Sequence, residues 1–156
     1  MRINGRRLCN NLKVLGQIGY VSGLGTTRMA YSDIFNQGRD YVKSQMEEAG
    51  LETFIDSVGN LTGVRKGRVG KKISIGSHID TVPNGGMYDG TLGVFSGIEI
   101  AHTLNESKYE NYYDIEVIAF TEEEGNVIGG TFGSKAFAGV DQEKDVLQKL
   151  SNYGMS

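Results

Sequence analysis

Two short segments carry the residue types that could do chemistry: GSHIDTVPNGGMYDG at 76–90 and FTEEEG at 120–125. Together they hold His78, Asp80, Asp89, Glu123 and Glu124, a set able to bind two metal ions and activate a water. His78 and Asp80 are two residues apart, and in a strand such residues share a face. A carboxylate beside an imidazole can fix its tautomer and aim its other nitrogen at a metal; the same pair also suits a plain polar contact on a strand surface. Asp89 lies beyond a glycine-rich loop. Its carboxylate could bridge two cations, one oxygen to each, or cap the helix that Asp89-Gly90-Thr91 would open. Glu122, Glu123 and Glu124 close an apolar run. Three adjacent carboxylates repel one another, and burial at a sheet mouth disfavours their charged forms. A divalent cation would relieve this, as would full solvation of an acidic turn. Imidazole with carboxylate suits zinc or manganese, and two-metal hydrolytic sites hold their ions about 3.5–4 Å apart. One glutamate can then bind metal while its neighbour takes a proton from the water between the ions.

These residues need elements to position them. Leu8, Leu12, Leu15 and Ile18 recur at helical spacing, so an amphipathic helix is predicted over 4–20. GLGTTRMAYSD (23–33) is a glycine-rich turn running into a cap at Ser32 or Asp33. The helix after it runs to about Ala49 and ends at Gly50. Short strands follow at 51–56 and 61–66 around a turn at Gly59-Asn60. KISIGSHID (72–80) reads as a buried strand with His78 and Asp80 at its end. After the Pro83-Asn84-Gly85-Gly86 loop a helix is expected over 91–105, with Leu92, Phe95, Ile98 and Leu104 on its apolar side. YDIEVIAF (113–120) reads as another buried strand, ending at the glutamates. Short helices are expected near 133–139 and 142–151. Alternating strands and helices predict an α/β domain with a partly parallel sheet. Both candidate segments leave the C-terminal ends of strands, where open α/β sheets place their sites.

The whole has 156 residues, 23 of them glycine and one proline, and a net charge of −3. The charge gives no case for nucleic acid or an anionic membrane as partner. No apolar run reaches the ~20 residues that cross a bilayer, and the charged, mixed N-terminus does not read as a signal peptide. The single cysteine, Cys9, forbids an internal disulfide and fits a reducing compartment, so a cytoplasmic location is expected. Cys9 sits in the apolar helical pattern and is expected as buried filler. The glycine-rich 85–93 stretch lacks the Gly-Lys-Ser/Thr ending that would grip a nucleotide.

GSHIDTVPNGGMYDG resembles the metal-binding signature of the M20 metallopeptidase superfamily. It is most similar to the branch of N-carbamoyl-L-amino-acid hydrolases, β-ureidopropionases and allantoate amidohydrolases. GLGTTRMAYSD, MEEAGL, DSVGNLTG, FTEEEG and GSKAFAG resemble further blocks of that branch, so the resemblance covers roughly residues 5–150. It implies a three-layer α/β sandwich with a mixed, partly parallel sheet. It implies that His78 binds one metal, Asp89 bridges both, Glu124 binds the other, Glu123 is the general base and Asp80 is the partner that orients His78. The spacing from Asp89 to Glu124 matches the family, which selects Glu124 over Glu122. It also implies a cis peptide between Asp89 and Gly90.

The activity implied is metal-dependent hydrolysis of carbon–nitrogen bonds in linear amides such as N-carbamoyl amino acids or ureido compounds. The cofactors would be two divalent ions, zinc or else manganese or cobalt, and the partner a small-molecule substrate. The family uses two further histidines and a lid and dimerisation domain. Residues 1–156 are therefore expected to be part of a catalytic domain without that lid, retaining a partial metal site. His102, the other histidine, is expected to pack on or near the surface of its helix. Open sheet edges would favour self-association. Two other outcomes are carried with this one: an aminoacylase or peptidase of the same superfamily, and a noncatalytic α/β module with at most weak metal binding.

Overall fold

A computed structural model of the chain describes residues 1–152; residues 153–156, the end of the expected domain, lie outside the described part. Helix α1 (Gly5–Gln17) is capped by the Asn4 side chain, which accepts from the amide of Arg7. A two-stranded hairpin, β1 (Tyr20–Val21) and β2 (Gly25–Thr26), follows. Helix α2 (Asp33–Glu48) starts where Ser32 Oγ accepts from the Phe35 amide at 3.1 Å. Ser32 is thus the cap, and Gly50, at φ +77°, lets the chain turn out of the helix.

The rest builds one sheet from β3 (Glu52–Ile55), β4 (Leu61–Arg65), β5 (Lys72–His78) and β6 (Asp114–Phe120), with α3 (Thr91–Glu106) between the last two strands. The order is β3-β4-β6-β5. The first two pairings are antiparallel, and β5 runs parallel to β6 with His78 opposite Phe120. A parallel pair needs a crossover, which α3 supplies. Helices α4 (Phe132–Phe137) and α5 (Glu143–Asn152) complete the described chain. The mixed, partly parallel α/β class expected from the sequence is the one observed.

Helices α1, α2 and α3 form a layer on one face of the sheet. Leu12 and Leu15 of α1, Val42 and Met46 of α2 and Phe95 and Ile98 of α3 meet Leu61, Val117 and Ala119 in one apolar core. Burying such side chains is the main favourable contribution to folding, about 1.5–3 kcal/mol each. On the opposite face Phe137 of α4 packs edge-on against Phe120, with ring centroids 5.6 Å apart.

Two expectations need correction. β6 is buried as predicted, but β5 is not: it is an outer strand, paired with β6 alone, and Ile73 is 49% exposed. Cys9 is exposed rather than buried. The inward stripe of α1 runs through Asn11, Leu12, Leu15 and Gly16, and at ~100° per residue Cys9 falls to one side of it.

Candidate metal centre

The parallel pairing of β5 and β6 brings two chain exits to one end of the sheet. His78 is the last residue of β5, and the glutamates follow its β6 partner Phe120 after one residue, Thr121. Asp89 arrives from the loop before α3. One ligand atom from each of His78, Asp89 and Glu124 lies within 4.8 Å of the others. Among the described residues this is the one such cluster of three or more potential metal ligands. The donor set, one imidazole and two carboxylates, fits a borderline divalent cation such as zinc or manganese.

His78 is oriented from behind. Its Nδ1 lies 3.0 Å from the backbone carbonyl of Asp80. A carbonyl can only accept, so Nδ1 carries the proton and Nε2 presents its lone pair. That Nε2 is 3.6 Å from Oε1 of Glu124. The expected carboxylate partner is offset: Asp80 Oδ1 stands 3.6 Å from Nδ1, whereas Oδ2 accepts from the Glu124 amide at 2.9 Å. Asp80 thus holds the histidine with its main chain and the glutamate segment with its side chain. It is fully buried.

The helix-cap alternative for Asp89 does not occur. The cap of α3 is Gly90, at φ +65°, with no side-chain cap hydrogen bond, so the Asp89 carboxylate is not spent on the helix. The peptide bonds of the described chain are all trans, and the expected cis bond after Asp89 is absent; the turn is made by the positive φ of Gly90 instead. A β-carbon at Gly90 would stand 2.5 Å from Nε2 of His78, so only glycine permits this approach.

The three glutamates have three separate environments. Glu122 is fully buried at φ +62°, and its Oε1 accepts from the amides of Val127, Ile128 and Gly129. It organises the loop after β6. Glu123 lies against α4, its two oxygens accepting from the amide of Ser134 at 2.8 Å and from its hydroxyl at 2.7 Å. Glu124 faces Asp89 and His78. Burial pushes its carboxyl above the usual range, the negative charges of Asp89 and Asp80 push the same way, and His78 opposes them. A divalent ion between Glu124 and Asp89 would remove that repulsion.

His102 stands apart from the cluster, half-buried on α3 near Glu99 and Arg7, where burial lowers its pKa. It is a packing residue, as expected. Sequence reasoning missed three groups: the Glu122 loop brace, the Ser134 clamp on Glu123, and Arg28, which is fully buried behind Asp80. Only the glycine-rich GNVIGG stretch after Glu122, with its free amides, offered a hint.

Residues 59–155 match the profile of peptidase family M28. The chain is 41% identical over 140 residues to an N-carbamoyl-L-amino acid amidohydrolase of Geobacillus stearothermophilus, covering 88% of this chain and 34% of that protein. It is 36% identical over 145 residues to an allantoate amidohydrolase of Bacillus subtilis, covering 91% and 35%. Among solved structures, a hydantoinase/carbamoylase family amidase from Burkholderia ambifaria superposes with a TM-score of 0.87 at 35% identity, over 92% of this chain and 36% of that one. The chain spans about a third of the length of the curated relatives it matches. The carbamoyl and allantoate branch expected from the motifs is the one to which these relatives belong.

Proposed function

Because the chain belongs to peptidase family M28, we propose that it carries part of the active centre of a divalent-metal-dependent amidohydrolase that cleaves N-carbamoyl or ureido compounds. The observation that carries this reading is the convergence of His78, Asp89 and Glu124 within 4.8 Å at the C-terminal ends of β5 and β6. The names of the similar proteins, an N-carbamoyl-L-amino acid amidohydrolase and an allantoate amidohydrolase, support the substrate class.

In this reading His78, Asp89 and Glu124 would hold the metal, zinc or else manganese or cobalt. Bound divalent metal supplies a water acidic enough to attack at neutral pH and stabilises the charge that develops on the substrate carbonyl. Asp80 keeps the proton on Nδ1 of His78, leaving Nε2 free to bind. Glu123 accepts the proton of the attacking water and returns it to the leaving nitrogen. Its two bonds from Ser134 fix the carboxylate without exhausting it, since an ionised carboxylate offers about four lone-pair sites. Glu122 holds the loop that carries both functional glutamates.

Residues 1–156 form part of a catalytic domain in this reading, and a small-molecule substrate is the partner. The exposed, unpaired thiol of Cys9 supports a cytoplasmic location, and no helix of the described chain is long and apolar enough to cross a membrane. The test pairs calorimetric titration of zinc, manganese and cobalt with hydrolysis assays on N-carbamoyl amino acids and allantoate. Binding that disappears in Asp89→Ala, with turnover that disappears in Glu123→Gln, is the expected result. Absence of metal binding by the unaltered chain overturns the reading. Binding without turnover favours the noncatalytic module. Turnover of acylated amino acids or peptides alone favours the aminoacylase or peptidase alternative, for which the peptidase profile argues.

A further inference from the structure

Arg28 is the largest fully buried side chain in the described protein. It lies after the short hairpin, in a segment that no part of the proposed chemistry uses. Its Nε donates to the carbonyl of Ile79 at 2.7 Å, and its Nη1 donates to the carbonyls of Leu15 and Ile18 at 3.0 and 2.9 Å. Its main chain is latched to the same place: the Arg28 amide donates to Thr81 Oγ1 at 2.9 Å, and the Thr81 amide donates back to the Arg28 carbonyl at 3.1 Å. The guanidinium therefore spans the end of α1 and the exit of β5, gripping Ile79 between His78 and Asp80.

The three side-chain acceptors are neutral carbonyls. A buried cation needs an opposite charge, or its desolvation goes uncompensated. Nη2 has no hydrogen-bond partner, and neither has Oδ1 of Asp80, which is equally buried. Asp80 is the carboxylate whose charge favours the charged form of Arg28. The guanidinium pKa is lowered to about 10, burial pushing it down and Asp80 opposing, so Arg28 stays charged at neutral pH. No hydrogen bond or close ion pair joins the two groups; they interact by charge alone.

We infer that Arg28 is a positioning residue of the metal centre: it fixes the β5 exit through Ile79 and holds the Asp80 carboxylate by charge, and Asp80 in turn sets the His78 tautomer and the place of the Glu124 amide. This rests on the metal reading above for its purpose, but not for its geometry. The hydrogen bonds of Arg28 go to Ile79, Leu15, Ile18 and Thr81 and to none of the three proposed ligands. It acts through Asp80, whose carbonyl accepts from His78 Nδ1 and whose Oδ2 accepts from the Glu124 amide.

The test has a metal-free arm and a metal arm. The chain has two histidines, so ¹⁵N spectra of the imidazoles separate them readily. In the metal-free chain His78 is expected as one tautomer, protonated on Nδ1. Arg28→Gln keeps a donor for Ile79 but removes the charge. It is expected to give mixed tautomers and at least a tenfold loss of cobalt affinity. Arg28→Lys keeps the charge but has a single ammonium for three carbonyls. It is expected to keep the tautomer and lose about threefold in affinity, a difference of about half a decade in Kd. Val42→Ala, a core change on α2, controls for destabilisation and should move neither readout. A folded Arg28→Gln chain with the unaltered His78 tautomer overturns the inference. An Arg28→Lys chain indistinguishable from the original overturns it too, which keeps the test decisive if Arg28→Gln does not fold. If the unaltered chain binds no cobalt, the metal reading fails by itself and the tautomer arm still decides the role of Arg28.

Discussion

The amide of Glu124 donates to Oδ2 of Asp80 at 2.9 Å, a bond between residues 44 positions apart in sequence. It ties the loop after β6 to the end of β5, and the same aspartate orients His78 through its carbonyl. One buried residue thus sets the separation of two proposed ligands.

Replacing Asp80 by asparagine keeps its carbonyl and its size and removes its charge. Metal affinity is expected to fall about 10–100-fold, the usual cost of altering a group that orients a ligand. Calorimetric titration of the variant with zinc measures it, and an unchanged Kd would show that Asp80 is a spectator.

Gly90→Ala places a β-carbon 2.5 Å from the His78 ring and imposes a side chain on a residue at φ +65°. The expected loss is about 1–3 kcal/mol of stability from the backbone conformation alone, with weakened metal binding because the imidazole must move. Denaturant unfolding and a cobalt titration read the two effects separately.

Glu124 has a raised carboxyl pKa, set first by burial and then by Asp89 and Asp80. In the metal-free protein the folded state therefore holds its proton to higher pH than the unfolded state does. Stability from this group is present at low pH and lost as pH rises through the raised value. Glu124→Gln should accordingly be more stable than the unaltered chain at pH 7, and the gap should close on acidification. Metal affinity should run the other way, falling as protons compete for the carboxylate. Thermal melts of both chains between pH 4 and pH 8 (conditions spanning about the carboxylate range) test the sign.

Arg7 clamps the start of α1 to α3 by donating to both oxygens of Glu99, with Nε at 2.7 Å and Nη2 at 2.9 Å, and the Glu99 side chain is only 3% exposed. Burial alone would raise the Glu99 carboxyl; the bonds from Arg7 and from the Asn4 amide, with the charge of Arg7, together outweigh it and hold the pKa low. This contribution is present above the ordinary carboxylate pKa and is lost as pH falls through the depressed one. Glu99→Gln is expected to cost about 2 kcal/mol at pH 7 and much less in acid, as urea unfolding at the two extremes would register.

The open edge of β5, with Ile73 49% exposed, supports self-association of this chain. Light scattering is expected to show concentration-dependent growth that Ile73→Lys suppresses. A monomer at every concentration for the unaltered chain would remove the proposal.

Much of the fold was legible because it follows from local patterns. Leu12 and Leu15 mark α1, Ser32 caps α2, and the apolar run before Thr121 becomes the central strand β6. Strand order was not legible. β5 alternates Ile73 and Ile75 with polar residues, a pattern that does not fix its place in the sheet, and only the pairing of β6 with β4 on its other side reveals that β5 is outermost. At the site, residue types marked His78, Asp89 and the three adjacent glutamates as candidates, and the family resemblance selected Glu124 among them. They could not find Arg28 or Ser134, because a buried arginine and a helix-start serine earn their roles from tertiary neighbours.

The rung that sets His78 opposite Phe120 also acts as a ruler. A slip of one residue between β5 and β6 would shift one ligand-bearing exit by about 3.3 Å and turn its side chains to the other face. That shift is comparable to the whole 4.8 Å spread of the cluster. Cation affinity should consequently report on strand alignment: a variant with a slipped ladder could retain its helical circular dichroism and still lose every trace of binding.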